Sequence, residues 1–143
     1  MSQPIVIPSP NKKYKAVLKN QGENQSGSNR YYSLSVEGFT PSFENRVFGE
    51  TCLWSPESRF LAVQEWKEGP DAGASKSCLL LIIDLVARRE CVVASVDGAK
   101  SNIAPEGFIG ESLMYTVTYE GQFGTTKNFE SKFQYLDGWL TLK

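Results

Sequence analysis

Trp54-Ser55-Pro56-Glu57-Ser58-Arg59-Phe60-Leu61-Ala62-Val63 decides how this chain is read. A Ser-Pro pair between two apolar runs marks a turn, because proline pre-sets the backbone angle that a turn needs. The same arrangement lies 46 residues earlier, where Ser9-Pro10-Asn11-Lys12-Lys13-Tyr14-Lys15-Ala16-Val17 aligns without gaps on Ser55 to Val63. A weaker third copy, Gly110-Glu111-Ser112-Leu113-Met114-Tyr115-Thr116-Val117, aligns on Pro56 to Val63 at an offset of 54. In each copy a short strand precedes the turn and a second strand follows it. A polar, Gly-bearing loop comes next, over residues 20–29, 68–76 and 120–127. A third strand then ends in an apolar-acidic pair: Val36-Glu37, Ile83-Asp84 or Leu136-Asp137. Self-similarity at such a period is the mark of a repeat architecture.

Working outward, no stretch sustains apolar residues at helical spacing. Short runs rich in Val, Ile, Tyr, Phe and Trp recur instead, bounded by Gly, Pro, Asn and Ser. They predict strands near 4–8, 13–20, 30–38, 45–49, 51–55, 59–67, 77–86, 89–96, 106–110, 113–120, 128–136 and 138–142. Tyr32-Ser33-Leu34-Ser35-Val36 and Tyr115-Thr116-Val117-Thr118-Tyr119 alternate cleanly, as strands with one polar face do. Leu79 to Ile83 is continuously apolar and reads as a central strand covered on both faces. The expected fold is all-β and antiparallel, one domain over 1–143 in three four-stranded repeats of about 5–50, 51–104 and 105–143.

The stretch from Trp54 to Val63 resembles the turn between the first two strands of WD-repeat and TolB-like β-propeller blades. Ile82-Ile83-Asp84-Leu85 is similar to the third strand of the same blades. The resemblance is good over about 51–96, fair over 5–50 and poor over 105–143. It implies four-stranded antiparallel blades and no particular activity, since propellers host many functions. Closed propellers have four to eight blades, so three units leave two sheet faces uncovered. Three outcomes stay open: closure into a compact sandwich or barrel-like form, a homodimer that shares the bare faces, or a turn shared without the architecture.

Charge and composition remove several functions. Across 143 residues, 15 Lys+Arg stand against 16 Asp+Glu, a net charge of −1, with no block of one sign. A dedicated nucleic-acid or membrane-surface binder carries a basic footprint that is missing here. Without a single histidine, Ser-His-Asp and Cys-His hydrolysis and His-ligated metals are excluded. Cys52, Cys78 and Cys91 sit in apolar runs with no Cys-x-x-Cys spacing and read as buried thiols. No calcium-type loop of alternating acids occurs, so neither a metal nor a cofactor is expected. Met1-Ser2-Gln3-Pro4-Ile5 lacks the basic and apolar regions of a secretory signal, and the expected location is cytoplasmic.

Two local motifs also read as structure. Gly69-Pro70-Asp71-Ala72-Gly73-Ala74-Ser75-Lys76-Ser77 superficially resembles a phosphate loop, but no glycine precedes the lysine and no helix follows. Glu37, Asp84 and Asp137 recur at equivalent positions, as turn-capping residues do, whereas an active site is normally unique. Trp54, Phe60 and Phe108 are assigned to the core.

The expected site is the end where the long loops gather, carrying Trp66, Glu68, Asp71, Tyr119, Glu120 and Phe123. Long loops on a rigid β scaffold are where binding residues are placed. An aromatic anchor with acidic neighbours suits a basic protein partner, although Trp66 could equally pack down on the neighbouring sheet. The expected function is a non-catalytic protein-binding module, such as an immunity-type inhibitor of a toxin or enzyme. One alternative is a hydrolase or lyase using carboxylate, Lys or Tyr groups in a cleft. Another is a sugar- or small-ligand-binding face built from Tyr31, Tyr115, Tyr119 and Tyr135.

Overall fold

A computed structural model describes residues 3–23, 30–67, 77–97, 101–119 and 125–143. The strands are β1 (Ile5–Pro8), β2 (Lys15–Glu23), β3 (Arg30–Glu37), β4 (Val47–Trp54), β5 (Phe60–Trp66) and β6 (Ser77–Asp84). Then come β7 (Arg89–Asp97), β8 (Asn102–Ile109), β9 (Ser112–Tyr119), β10 (Thr125–Lys132) and β11 (Leu140–Thr141). The protein is all-β. An eight-stranded antiparallel sheet runs β1-β2-β3-β4-β5-β6-β7-β11, and a three-stranded one runs β10-β9-β8. The sheets do not close into a barrel.

Alternation along β5 and β6 explains how the layers stack. Leu61, Val63, Leu81 and Ile83 point to one side, where they meet Ala16 and Leu18 of β2 and Leu34 and Val36 of β3. Phe60, Ala62, Leu80 and Ile82 point to the other side, against Ile103 of β8 and Leu113, Tyr115 and Val117 of β9. Strands β4–β7 therefore form a middle layer, of which β5 and β6 are buried on both faces as the apolar run in β6 predicts. The large sheet folds over on itself at β3/β4, where pairing is reduced to Tyr32 opposite Phe48. Separate runs expected at 45–49 and 51–55 are in fact the single strand β4. A bulge between Phe48 and Cys52 interrupts its pairing with β5. Gly49 is needed there, because a Cβ would stand 2.4 Å from Gln64 Oε1. That same oxygen accepts the Thr51 N–H at 3.2 Å.

The two Ser-Pro turns share one hydrogen-bond pattern. Ser9 N–H donates to Tyr14 O at 2.9 Å and Ser55 N–H to Phe60 O at 2.8 Å. Each serine carbonyl is taken by the N–H three residues on, from Lys12 and Ser58 respectively. The returning N–H groups of Tyr14 and Phe60 are accepted instead by Ser9 Oγ and Ser55 Oγ, at 3.1 and 3.0 Å. Lys12 and Ser58 both take left-handed backbone angles, φ 63° and 65°. The turns lie side by side: Asn11 N–H donates to Ser58 Oγ at 2.9 Å, and Tyr14 stacks on Trp54.

The third unit departs from the expected repeat. Only Gly110 and Glu111 join β8 to β9, with Gly110 at φ +57°. The expected strand at 128–136 ends at Lys132 in a 3-10 turn over Phe133–Tyr135. The last strand, β11, pairs with β7 of the middle layer and not with β10. Repeat boundaries at 50/51 and 104/105 fall inside β4 and β8.

Candidate functional site

Both ends of the layered fold bear on function. At one end, Trp66 lies opposite Cys78, Ser77 opposite Asp97 and Asn102 opposite Thr118. Tyr31 reaches this end from β3, its ring 5.6 Å from that of Trp66. Gln64 ties the layers together by donating to Ile103 O at 2.7 Å and to Asn102 Oδ1 at 3.2 Å. The strand ends that launch residues 24–29, 68–76, 98–100 and 120–124 therefore share one end of the molecule.

Among the expected contact residues, Tyr119 is 40% exposed, with Lys127 Nζ 5.9 Å from its ring centre. Trp66 is a correction. It is only 7% exposed and belongs to the core between β5, β6 and β9, so it is a packing residue and not an anchor. Its indole N–H is buried with no acceptor among the described residues. Glu68, Asp71, Glu120 and Phe123 lie outside the described residues.

At the opposite end the structure assembles a cluster that sequence reasoning missed. Asp84, the last residue of β6, is fully buried. Its Oδ1 accepts the N–H groups of Val86 and Ala87 at 3.2 and 3.1 Å, the turn-capping role expected of it. Arg59 donates Nε to Oδ1 at 3.1 Å and Nη2 to Oδ2 at 3.0 Å. Arg89 donates Nε to Oδ2 at 3.3 Å. Burial by itself would raise the Asp84 carboxyl, but the donors from Arg59, Ala87 and Arg89 outweigh it and hold it below its ordinary value. The Arg59 guanidinium is raised by the same hydrogen bond. Arg59 also covers the Phe60 ring at 5.0 Å and Arg89 the Trp139 ring at 4.2 Å. The legible signals were Arg59 inside the turn stretch and Arg89 five residues after Asp84. Their meeting depends on the β5–β6–β7 register. Glu37 and Asp137 are exposed and do not repeat this role.

A second ionic cluster is a clamp. Arg46 donates Nε and Nη2 to Glu65 at 2.7 and 3.0 Å and Nη1 to Glu90 at 2.9 Å. It lies against Phe43 and Phe48, fastening the segment between β3 and β4 across the middle layer. Burial opposes its charge, and the two glutamates more than offset this.

Cys52, Cys78 and Cys91 are free and buried. Burial pushes the Cys52 and Cys78 thiols up to about 12. Among the described residues no group of three or more Cys, Asp or Glu could hold a metal ion. Asp84 is the one buried carboxylate among them, and its oxygens are taken by Arg59, Arg89 and the turn N–H groups. Tyr31 and Tyr115 are buried while Tyr119 and Tyr135 are exposed, so the tyrosine platform for a sugar is not formed. No helix among the described residues is long and apolar enough to cross a membrane. No family model matches the chain, nor does any curated protein or solved structure.

Proposed function

We propose that the protein is a non-catalytic protein-binding module, of the immunity type that neutralises a toxin or enzyme in the cytoplasm. One observation carries the reading: four loop-launching junctions leave the same end of a packed three-layer scaffold, whereas at the opposite end β1–β2, β4–β5 and β6–β7 are joined by short, hydrogen-bonded turns. A scaffold closed tightly at one end and elaborated at the other has the form of a presented binding surface. In sequence, Glu68, Asp71 and Glu120 belong to the segments between these junctions, and the expectation of a basic partner rests on them. Tyr119 supplies an exposed aromatic at the mouth of the β9–β10 connection.

The test is co-purification from the native cell extract with three proteins: wild type, Tyr119→Ala/Phe123→Ala, and a chain with residues 68–76 replaced by Asn-Gly. All three are first shown to unfold cooperatively in urea. The reading expects a stoichiometric partner with wild type, its loss with the variants, and inhibition of that partner's activity by wild type alone. Equal recovery by all three folded proteins would place the binding surface elsewhere. Turnover of a substrate by the protein itself would overturn the non-catalytic assignment.

A further inference from the structure

The turn end of the molecule holds a cleft of about 570 Å³, far from the loop-bearing end. Arg59, Arg89, Phe60, Phe133 and Gln134 line it. A guanidinium carries five N–H donors in a rigid fork. Arg59 commits Nε and Nη2 to Asp84, and Arg89 commits Nε alone. Arg59 Nη1 and both Nη groups of Arg89 have no acceptor among the described residues. Both side chains remain partly open to solvent, at 42% and 39%.

Two guanidiniums thus share one buried carboxylate. They are also held in place beforehand. Asp84 fixes both from beneath, and the Phe60 and Trp139 rings support them from the side. A preorganised fork loses less freedom on binding an anion than a mobile surface arginine does. Beside the arginines the cleft is apolar: the Phe133 ring stands 4.5 Å from that of Phe60, and Phe108 backs Phe133 at 5.9 Å. Glu57 and Glu111 also line the cleft, and the Glu57 charge acts on Arg59. With Asp84 they set three carboxylates against two guanidiniums. It is therefore the open guanidinium N–H donors and not a net charge that would hold an anion here, and a phosphate dianion or a polyanion would be repelled.

We infer that this cleft is a binding site for a monocarboxylate with a flat apolar body. The carboxylate bridges the free guanidinium groups of Arg59 and Arg89, and the body lies against Phe133. The source is either a free aromatic acid or the C-terminal aromatic residue of a peptide, which present the same chemistry.

The probes are phenylacetate, its neutral counterpart phenylacetamide, N-acetylphenylalanine as a peptide-terminus mimic, and inorganic phosphate. Each is titrated into the 15N-labelled full chain, following the backbone amides of Gly110, Glu111 and Gln134 and the arginine Nε–H signals. Phenylacetate is expected to saturate with a dissociation constant on the order of 1 mM. Phenylacetamide and phosphate are expected to bind at least about tenfold more weakly. Tighter binding of N-acetylphenylalanine than of phenylacetate would identify a peptide terminus, and the reverse a free acid. Arg89→Gln should weaken phenylacetate binding by at least about tenfold. Because that change also touches Asp84, Gln134→Glu serves as a second variant. It alters an exposed wall residue without disturbing the cluster and should weaken binding by adding a charge. Non-saturating shifts, equal response to phenylacetamide, preference for phosphate, or unchanged binding by folded Gln134→Glu and Arg89→Gln would each overturn the inference.

Discussion

Replacing Asp84 measures how much of the fold hangs on the cluster at the turn end. In Asp84→Ala the carboxylate loses five donors: two from Arg59, one from Arg89, and the N–H groups of Val86 and Ala87. Val86 and Ala87 are exposed, so their freed N–H groups reach water, and each lost bond costs about 0.5–1 kcal/mol. The arginines are 42% and 39% exposed, so each ion pair is discounted for solvent screening to about 0.5 kcal/mol. The sum is about 2–3 kcal/mol, or a fall in Tm of roughly 6–12 °C for a chain of this length. Urea unfolding followed by tryptophan fluorescence reads it directly. The companion Asp84→Asn keeps an acceptor for the turn, removes the charge and puts an NH2 donor where Oδ2 accepts from Arg59 and Arg89. The folded carboxyl is held below its ordinary 3.8, so its stabilisation is complete above that value and is lost as pH falls through the folded one. The gap between wild type and Asp84→Asn should therefore narrow on acidification below about pH 4. A loss under about 0.5 kcal/mol for Asp84→Ala, or a gap that widens in acid, would refute the reasoning.

Three further outcomes follow from packing. Phe60→Ala should cost on the order of 3–5 kcal/mol, because the ring is buried against Phe133; a loss under about 1 kcal/mol in the same urea assay would contradict that burial. Gly49→Ala should destabilise by about 1–3 kcal/mol, since its Cβ would meet the Gln64 side chain at 2.4 Å. Gly107→Ala, where a Cβ meets nothing within 4 Å, should stay within about 1 kcal/mol of wild type, so equal losses would disprove the contrast. Cys52 and Cys78, buried and with thiols near 12, should react with an aromatic disulfide reagent only at the rate of unfolding. Rapid native-state labelling would show that the core is not closed.

Strand content, the doubly covered strand at Leu79 to Ile83, and the kinship of the Ser9 and Ser55 turns were legible from the chain alone. Each depends on interactions within a few residues: side-chain alternation, the backbone angle of proline, and a serine hydroxyl within reach of the returning N–H. The burial of the three cysteines followed from their apolar neighbours for the same local reason. Tertiary structure alone decided that 45–49 and 51–55 are one strand, because the bulge that carries the chain across Gly49 and Glu50 is set by pairing with β5 and by Gln64 folded against Gly49. It alone sent the last strand to β7, and it took Trp66 from the expected contact surface into the core beside Tyr31. It also brought Arg59, just before β5, and Arg89, at the start of β7, onto Asp84 from either side of β6. Pattern and turn chemistry specify which residues form strands and where they reverse. Which face is covered, and which charges meet, depends on pairing between distant segments, whose register no local stretch of residues contains.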